Sequence, residues 1–189
     1  MNKRDKIVQA SIEVFREKGI EKTKVSDIVN LANIAQGTFY LYFPSKLSVM
    51  PAIAEVMVNK TISAVKASVR TDESFPNQLE QVIDAVYGIT SEYREVLALI
   101  YAGLASTEHI REWETVYEPF YTWMREFLEM AKAAGSIRGT IQAERTSKLM
   151  IGLIESSAEQ IYLYDYKQDD QAAGHKEELM DFLKHALGM

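Results

Sequence analysis

Reactive chemistry is scarce in this sequence of 189 residues. It has no cysteine, which excludes a disulfide framework, a thiolate metal site and a thiol redox switch. Its histidines, His109, His175 and His185, lie far apart along the chain. No glycine-rich phosphate loop, nucleophile elbow or His-Glu-x-x-His pattern occurs. His175 and Glu178 read as a surface pair, and Asp169-Asp170 has no partner base. No catalytic residue, metal or cofactor is therefore expected, and the chain is not expected to be an enzyme. What the first 46 residues do hold is the means to meet a polyanion. Lys24, Lys46 and a Lys3-Arg4-Lys6 arm could supply charge to phosphates around Gln36, Gly37, Thr38, Tyr40, Leu41 and Tyr42. Gly37, with no Cβ, would let a helix start approach a phosphate closely.

Charge supports that division. The whole chain carries −6, yet residues 1–46 hold eight Lys and Arg against five Asp and Glu, leaving the remainder strongly acidic. A small basic module on a larger acidic body is one explanation, and plain surface composition is another.

Apolar spacing sets the elements that must position these residues. Ile7, Ala10, Ser11, Val14 and Phe15 recur at helical steps until Gly19 stops them. A short helix follows, anchored by Ile28, Val29 and Leu31, then a break at Ala32-Asn33-Ile34-Ala35 and a second short helix from Gln36 to Phe43. Phe39 and Phe43, four apart, would hold that helix from its inner face. A long helix, two short ones and a tight break form the layout of a helix-turn-helix. Ser45 is a good cap for a further helix to about Val69, and Pro51 should bend it by leaving the Leu47 carbonyl unpaired. Helical spacing continues over about 77–91, 92–105, 109–134, 142–166 and 175–187, with no strand-like alternation. The fold class predicted is all-α, with about nine helices.

The segments Thr23-Lys24-Val25-Ser26-Asp27-Ile28 and Ile34-Ala35-Gln36-Gly37-Thr38-Phe39-Tyr40-Leu41-Tyr42-Phe43-Pro44-Ser45-Lys46 closely resemble the DNA-binding signature of the tetracycline-repressor (TetR/AcrR) family. Val25 stands where many members place threonine, and Leu41-Tyr42 replaces a common aromatic-histidine pair. The resemblance implies a third helix in the DNA major groove, with contacts from Lys24, Ser26, Gln36, Gly37, Thr38, Tyr40, Tyr42 and Lys46. It also implies an effector pocket among the middle helices and a dimer built on a four-helix bundle.

The acidic remainder has features suited to both tasks. Aromatic residues crowd from Tyr101 to Phe127, and Trp113, Tyr117, Phe120, Met124 and Phe127 share one helix face. They are either core or the lining of a pocket. Tyrosines with polar tips favour a lining, as does the kink expected at Pro119. Tyr87, Tyr101, Trp113, Tyr117, Phe120 and Tyr121 are the candidate ligand residues. The helix after Gln142 is apolar around much of its circumference, and the last helix repeats apolar residues at helical spacing. Leu149, Gly152, Leu153, Ser156, Phe182 and Leu183 are the candidate interface residues, unless both helices serve only their own core.

The sequence therefore predicts a DNA-binding domain over 1–46 and an effector-binding and dimerisation domain over 47–189. The expected partners are an inverted-repeat operator in double-stranded DNA, an apolar or aromatic small molecule and a second copy of the chain. No transmembrane span or signal core is present, so a cytoplasmic location is expected. Two alternatives stay open: a regulator controlled by a protein partner, and a helical carrier or enzyme with a vestigial DNA-binding module.

Overall fold

The computed structural model describes residues 2–104, 110–164 and 172–189, apart from the side chains of 102–104 and 110–113. His109 and Asp169-Asp170 lie outside the described residues. Nine α-helices are described: α1 (Lys3–Lys22), α2 (Val25–Ala32), α3 (Gln36–Tyr42), α4 (Met50–Ser68), α5 (Phe75–Glu92), α6 (Arg94–Leu104), α7 (Ile110–Ala133), α8 (Ala143–Glu159) and α9 (Ala172–Leu187). A 3₁₀ turn, Leu47–Val49, leads into α4, and a π-helical turn, Gln160–Tyr164, follows α8. The described residues contain no strand, and the all-α expectation holds. None of the described helices is long and apolar enough to cross a membrane.

The chain divides into two compact units, one of Met1–Val58 with Glu95–Val116 and one of Asn59–Arg94 with Tyr117–Met189. The helix-turn-helix thus shares its unit with the start of α4 and with residues 95–116, beyond the boundary expected at residue 46.

In the first unit, the Asn2 side chain caps α1 by accepting the Asp5 N–H at 2.9 Å. Ile7, Val8, Ala10, Val14 and Phe15 form its buried stripe, and the buried Ser11 hydroxyl donates to the Ile7 carbonyl at 2.8 Å. Gly19 breaks the helix at φ 75°, a backbone region that glycine enters without steric penalty. Ile28, Val29 and Ala32 bury α2 against α1. Leu31, expected among these anchors, is instead 50% exposed. At ~100° per residue it lies on a flank of the helix, roughly 100° from the centre of that stripe.

The bend expected at Pro51 is also corrected. The Ser45 hydroxyl accepts the Ser48 N–H at 3.2 Å, and the Ser48 hydroxyl accepts the Ser45 N–H at 3.1 Å. This reciprocal cap starts a 3₁₀ turn, in which the Leu47 carbonyl accepts the Met50 N–H. The α-helix proper starts at Met50, so Pro51 falls in its first turn, where a missing N–H leaves no bond unmade.

The second unit is built on α5 packed against α8 and α9. Leu79, Val82, Ile83 and Val86 of α5 are buried, as are Met150, Ile151, Ile154 and Ala158 of α8 and Leu179, Leu183 and Leu187 of α9. Phe120, Met124, Phe127 and Leu128 bury one face of α7, which runs through Pro119 as a single helix. Phe75 meets Phe127 at 4.9 Å between ring centroids, and Trp123 stacks on Phe127 at 5.2 Å. Gly135, at φ 70°, ends α7 with the Ser136 N–H returning to the Ala131 carbonyl.

Candidate functional site

Three side-chain groups remain once the core is assigned. The first is the outer face of α3. Asn33 closes α2 in the left-handed region at φ 53°, and the Ile34 N–H returns to the Val29 carbonyl at 3.1 Å. That tight turn starts α3 at Gln36. Phe39 is 0% exposed and Phe43 is buried 5.8 Å from it, ring to ring. With the helix pinned along one edge, its outer side chains are forced into solvent. Gln36 and Gly37 are exposed, Thr38 is half-buried, and Tyr40, Leu41 and Tyr42 are large side chains left open. Tyr40 is held edge-on against Phe39 at 5.5 Å.

Beside this face, Lys24 and Ser26 are exposed at the start of α2. The Asp27 carboxylate fixes that start by accepting the Lys24 N–H at 2.8 Å and the Lys18 ammonium at 2.9 Å. These bonds, led by the one from Lys18, hold its carboxyl below the usual range. Lys46 is placed differently from its neighbours. Its ammonium donates to the Ile20 carbonyl at 2.6 Å and the Thr23 carbonyl at 2.9 Å, tying the start of the 3₁₀ turn to the end of α1. Two of its three hydrogens are committed there, leaving one for an outside acceptor. In the arm, Lys3 and Lys6 are exposed, while Arg4 pairs with Glu55 of α4 at 3.1 Å.

The second group is two sets of aromatic contacts in the second unit, one made to Ser157 and one to Glu155 of α8. Tyr87 is 1% exposed, and its hydroxyl shares a 2.6 Å hydrogen bond with Ser157. Its ring meets Tyr162 edge-on at 6.2 Å and carries the Lys176 ammonium at 5.1 Å. Burial raises the Tyr87 hydroxyl pKa, against the Ser157 bond. Tyr117 and Tyr121 lie 5.7 Å apart along α7, and the Lys148 ammonium sits 4.8 Å from the Tyr121 ring. The Tyr117 hydroxyl donates to Glu155 at 3.2 Å. Burial pushes the Glu155 carboxyl up to about 8; the bond from Tyr117 opposes the shift and Glu159 adds to it. Of the candidate ligand residues, Tyr87, Tyr117, Phe120 and Tyr121 belong to this unit and Tyr101 to the other, while the side chain of Trp113 lies outside the described residues. Glu155 was missed in the sequence because a single glutamate in a helix reads as solvated. Only its placement among Ile151, Ile154 and Ala158 hinted otherwise.

The third group is the outer face of α8 and α9. Leu149 is 73% exposed, Leu153 37% and Phe182 60%, with Gly152 and Ser156 open beside them on α8. Nothing lies within 4 Å of where a Gly152 Cβ would stand. Leu183, expected with these, is 2% exposed and corrects that expectation. One residue on from Phe182, it turns about 100° into the unit's own core.

Comparison with known proteins matches two segments of the chain. Residues 7–53 match the family of bacterial regulatory proteins named for TetR, and 79–187 match a tetracycline-repressor-like C-terminal domain. The HTH-type transcriptional regulator YvdT of Bacillus subtilis is 40% identical over 98% of this chain and 95% of its own length. The chain belongs to the TetR family. It is accordingly a transcriptional regulator with an N-terminal DNA-binding domain. Solved TetR-fold relatives cover nearly all of it. FadR of Bacillus subtilis, in complex with stearoyl-CoA, superposes with a TM-score of 0.74 at 18% identity, covering 95% of this chain and 96% of its own. FadR of Thermus thermophilus, in complex with lauroyl-CoA, gives 0.73 at 21% identity, covering 96% and 91%.

Proposed function

We infer that this TetR-family chain is a homodimeric repressor that binds an inverted-repeat operator and is released from it by a small-molecule effector. The observation that carries the DNA contact is the open face of α3 over buried Phe39 and Phe43, inside the segment matching the family's DNA-binding domain. Gln36, Gly37, Thr38, Tyr40 and Tyr42 face the major groove, and Lys24, Ser26 and Lys46 flank it toward the phosphates. Dimerisation uses Leu149, Gly152, Leu153, Ser156 and Phe182. Exposed apolar side chains around small residues suit close helix pairing, and pairing removes them from water. A two-fold dimer presents two copies of α3 and so calls for two half-sites roughly one DNA turn apart.

The effector is an apolar or aromatic small molecule held in the second unit beside Tyr87, Tyr117, Phe120 and Tyr121. Long-chain acyl-CoA thioesters are the first compounds to try, because both FadR structures hold one. The effector acts by favouring a dimer state with lower operator affinity, a coupling that is ordinarily about 5–150-fold. Fluorescence anisotropy of a labelled operator, titrated with lauroyl-CoA and stearoyl-CoA at fixed protein, tests this. A fall in operator affinity within that range is expected. An affinity unchanged within twofold at saturating acyl-CoA rules that class out.

A further inference from the structure

The chemistry of α3 restricts what it can read in a major groove. Its sequence, Gln36-Gly37-Thr38-Phe39-Tyr40-Leu41-Tyr42, contains no Arg or Lys to bridge the two acceptors of guanine. It contains no Asp or Glu to accept from the cytosine amino group. With Phe39 and Phe43 buried, Leu41 and Gly37 lie farthest from that inner edge at ~100° per residue, with Thr38, Tyr40 and Tyr42 to either side, and Gln36 is exposed as the first residue of the helix. Gln36 is the one side chain of α3 suited to a bidentate pair with adenine. Leu41 is 82% exposed, with an isobutyl group that has no core to enter. The apolar group a major groove offers it is the C5-methyl of thymine. Gly37, between Tyr40 and Leu41, has nothing within 4 Å of its would-be Cβ. The fold itself has room for a side chain there, so an added methyl at Gly37 reports on how closely a bound partner approaches the backbone.

We propose that α3 reads A·T pairs, with Gln36 on an adenine edge and Leu41 on a thymine methyl, so that A·T pairs form the core of each operator half-site. Lys24, Lys3 and Lys6, exposed on elements other than α3, meet phosphates and carry no base preference. The proposal rests on the major-groove docking inferred above and specifies what that docking selects.

The test starts from random duplexes selected with the full-length chain. Each thymine of the selected half-site is then replaced by deoxyuridine, which removes only the methyl. One such replacement should weaken wild-type binding about fourfold, the equivalent of ~0.8 kcal/mol for a lost methyl contact. Leu41→Ala should make that same replacement silent. Gln36→Ala should relax an adenine preference by about tenfold or more at a different position. Gly37→Ala should leave the protein folded and weaken binding. Half-sites with a G·C core, or a methyl effect of the same size in wild type and Leu41→Ala, would overturn the proposal while leaving DNA binding intact. Absence of any selective enrichment would overturn the docking itself.

Discussion

Replacing Lys46 by methionine keeps the side-chain stem and removes the ammonium. In the structure that ammonium donates to the Ile20 and Thr23 carbonyls at 2.6 and 2.9 Å, just beyond the Gly19 break in α1. Hydrogen bonds from a charged donor are each worth about 1.5–3 kcal/mol when buried. Lys46 is only half-buried and water can replace part of each bond, so the pair should contribute about 2 kcal/mol. The loss should be local to the helix-turn-helix. Peptide-level hydrogen exchange of the full chain should therefore show amides of residues 3–46 exchanging about thirtyfold faster, since 1.4 kcal/mol is tenfold. Lys24→Met, which removes an exposed ammonium, is the control and should change exchange by less than about twofold. Operator binding by Lys46→Met should also lose about one unit of salt slope if the third ammonium hydrogen meets a phosphate. Unchanged exchange together with a reduced slope would refute the brace and leave Lys46 a phosphate contact alone.

Substitutions at Glu155, Gly152 and Pro51 probe the buried carboxyl, the α8 face and the start of α4. Glu155 has a pKa of about 8 in the folded chain, against an ordinary 4.5 when unfolded, so the folded state binds the extra proton between those values. The contribution of Glu155 to stability should be greatest below pH 4.5 and fall as pH rises to 8, by at most about 1.4 kcal/mol per unit. Glu155→Gln should flatten this slope and be more stable than wild type at pH 8 in urea unfolding; an equal slope in both proteins would clear Glu155 of it. Gly152→Arg places a long cation on the exposed α8 face and should convert dimers to folded monomers in sedimentation, whereas an unchanged dimer would move the interface elsewhere. Pro51→Ala lies in the first turn of α4 and should change stability by less than about 0.5 kcal/mol; a gain of several times that would show that the proline strains the helix.

Much of this was legible because it depends on spacing. The 3.6-residue period of Ile7, Ala10, Val14 and Phe15 marks a helix with one buried face, and the Phe39–Phe43 pair marks the inner edge of α3. Periodicity fails where burial depends on a few tens of degrees around a helix. Leu31, exposed, and Leu183, buried, do not lie where their spacing suggests, because neighbouring apolar residues on a short or two-sided helix look alike in a sequence. Cap chemistry at Ser45 was visible, but its reciprocal bond with Ser48 was not, and that bond decides where Pro51 falls. The roles of Lys46 and Glu155 depend on partners 26 and 38 residues away, contacts that no local pattern encodes.

Equilibrium binding of the full-length chain to a selected inverted-repeat duplex and to its scrambled counterpart, across a salt series, shows whether a dimer reads an operator through α3. Two protomers per duplex, an affinity that falls steeply with salt, and a preference for the selected site of about a thousandfold or more are expected. Equal affinity for the scrambled duplex, or saturation at one protomer, would contradict a dimer that reads an operator through α3.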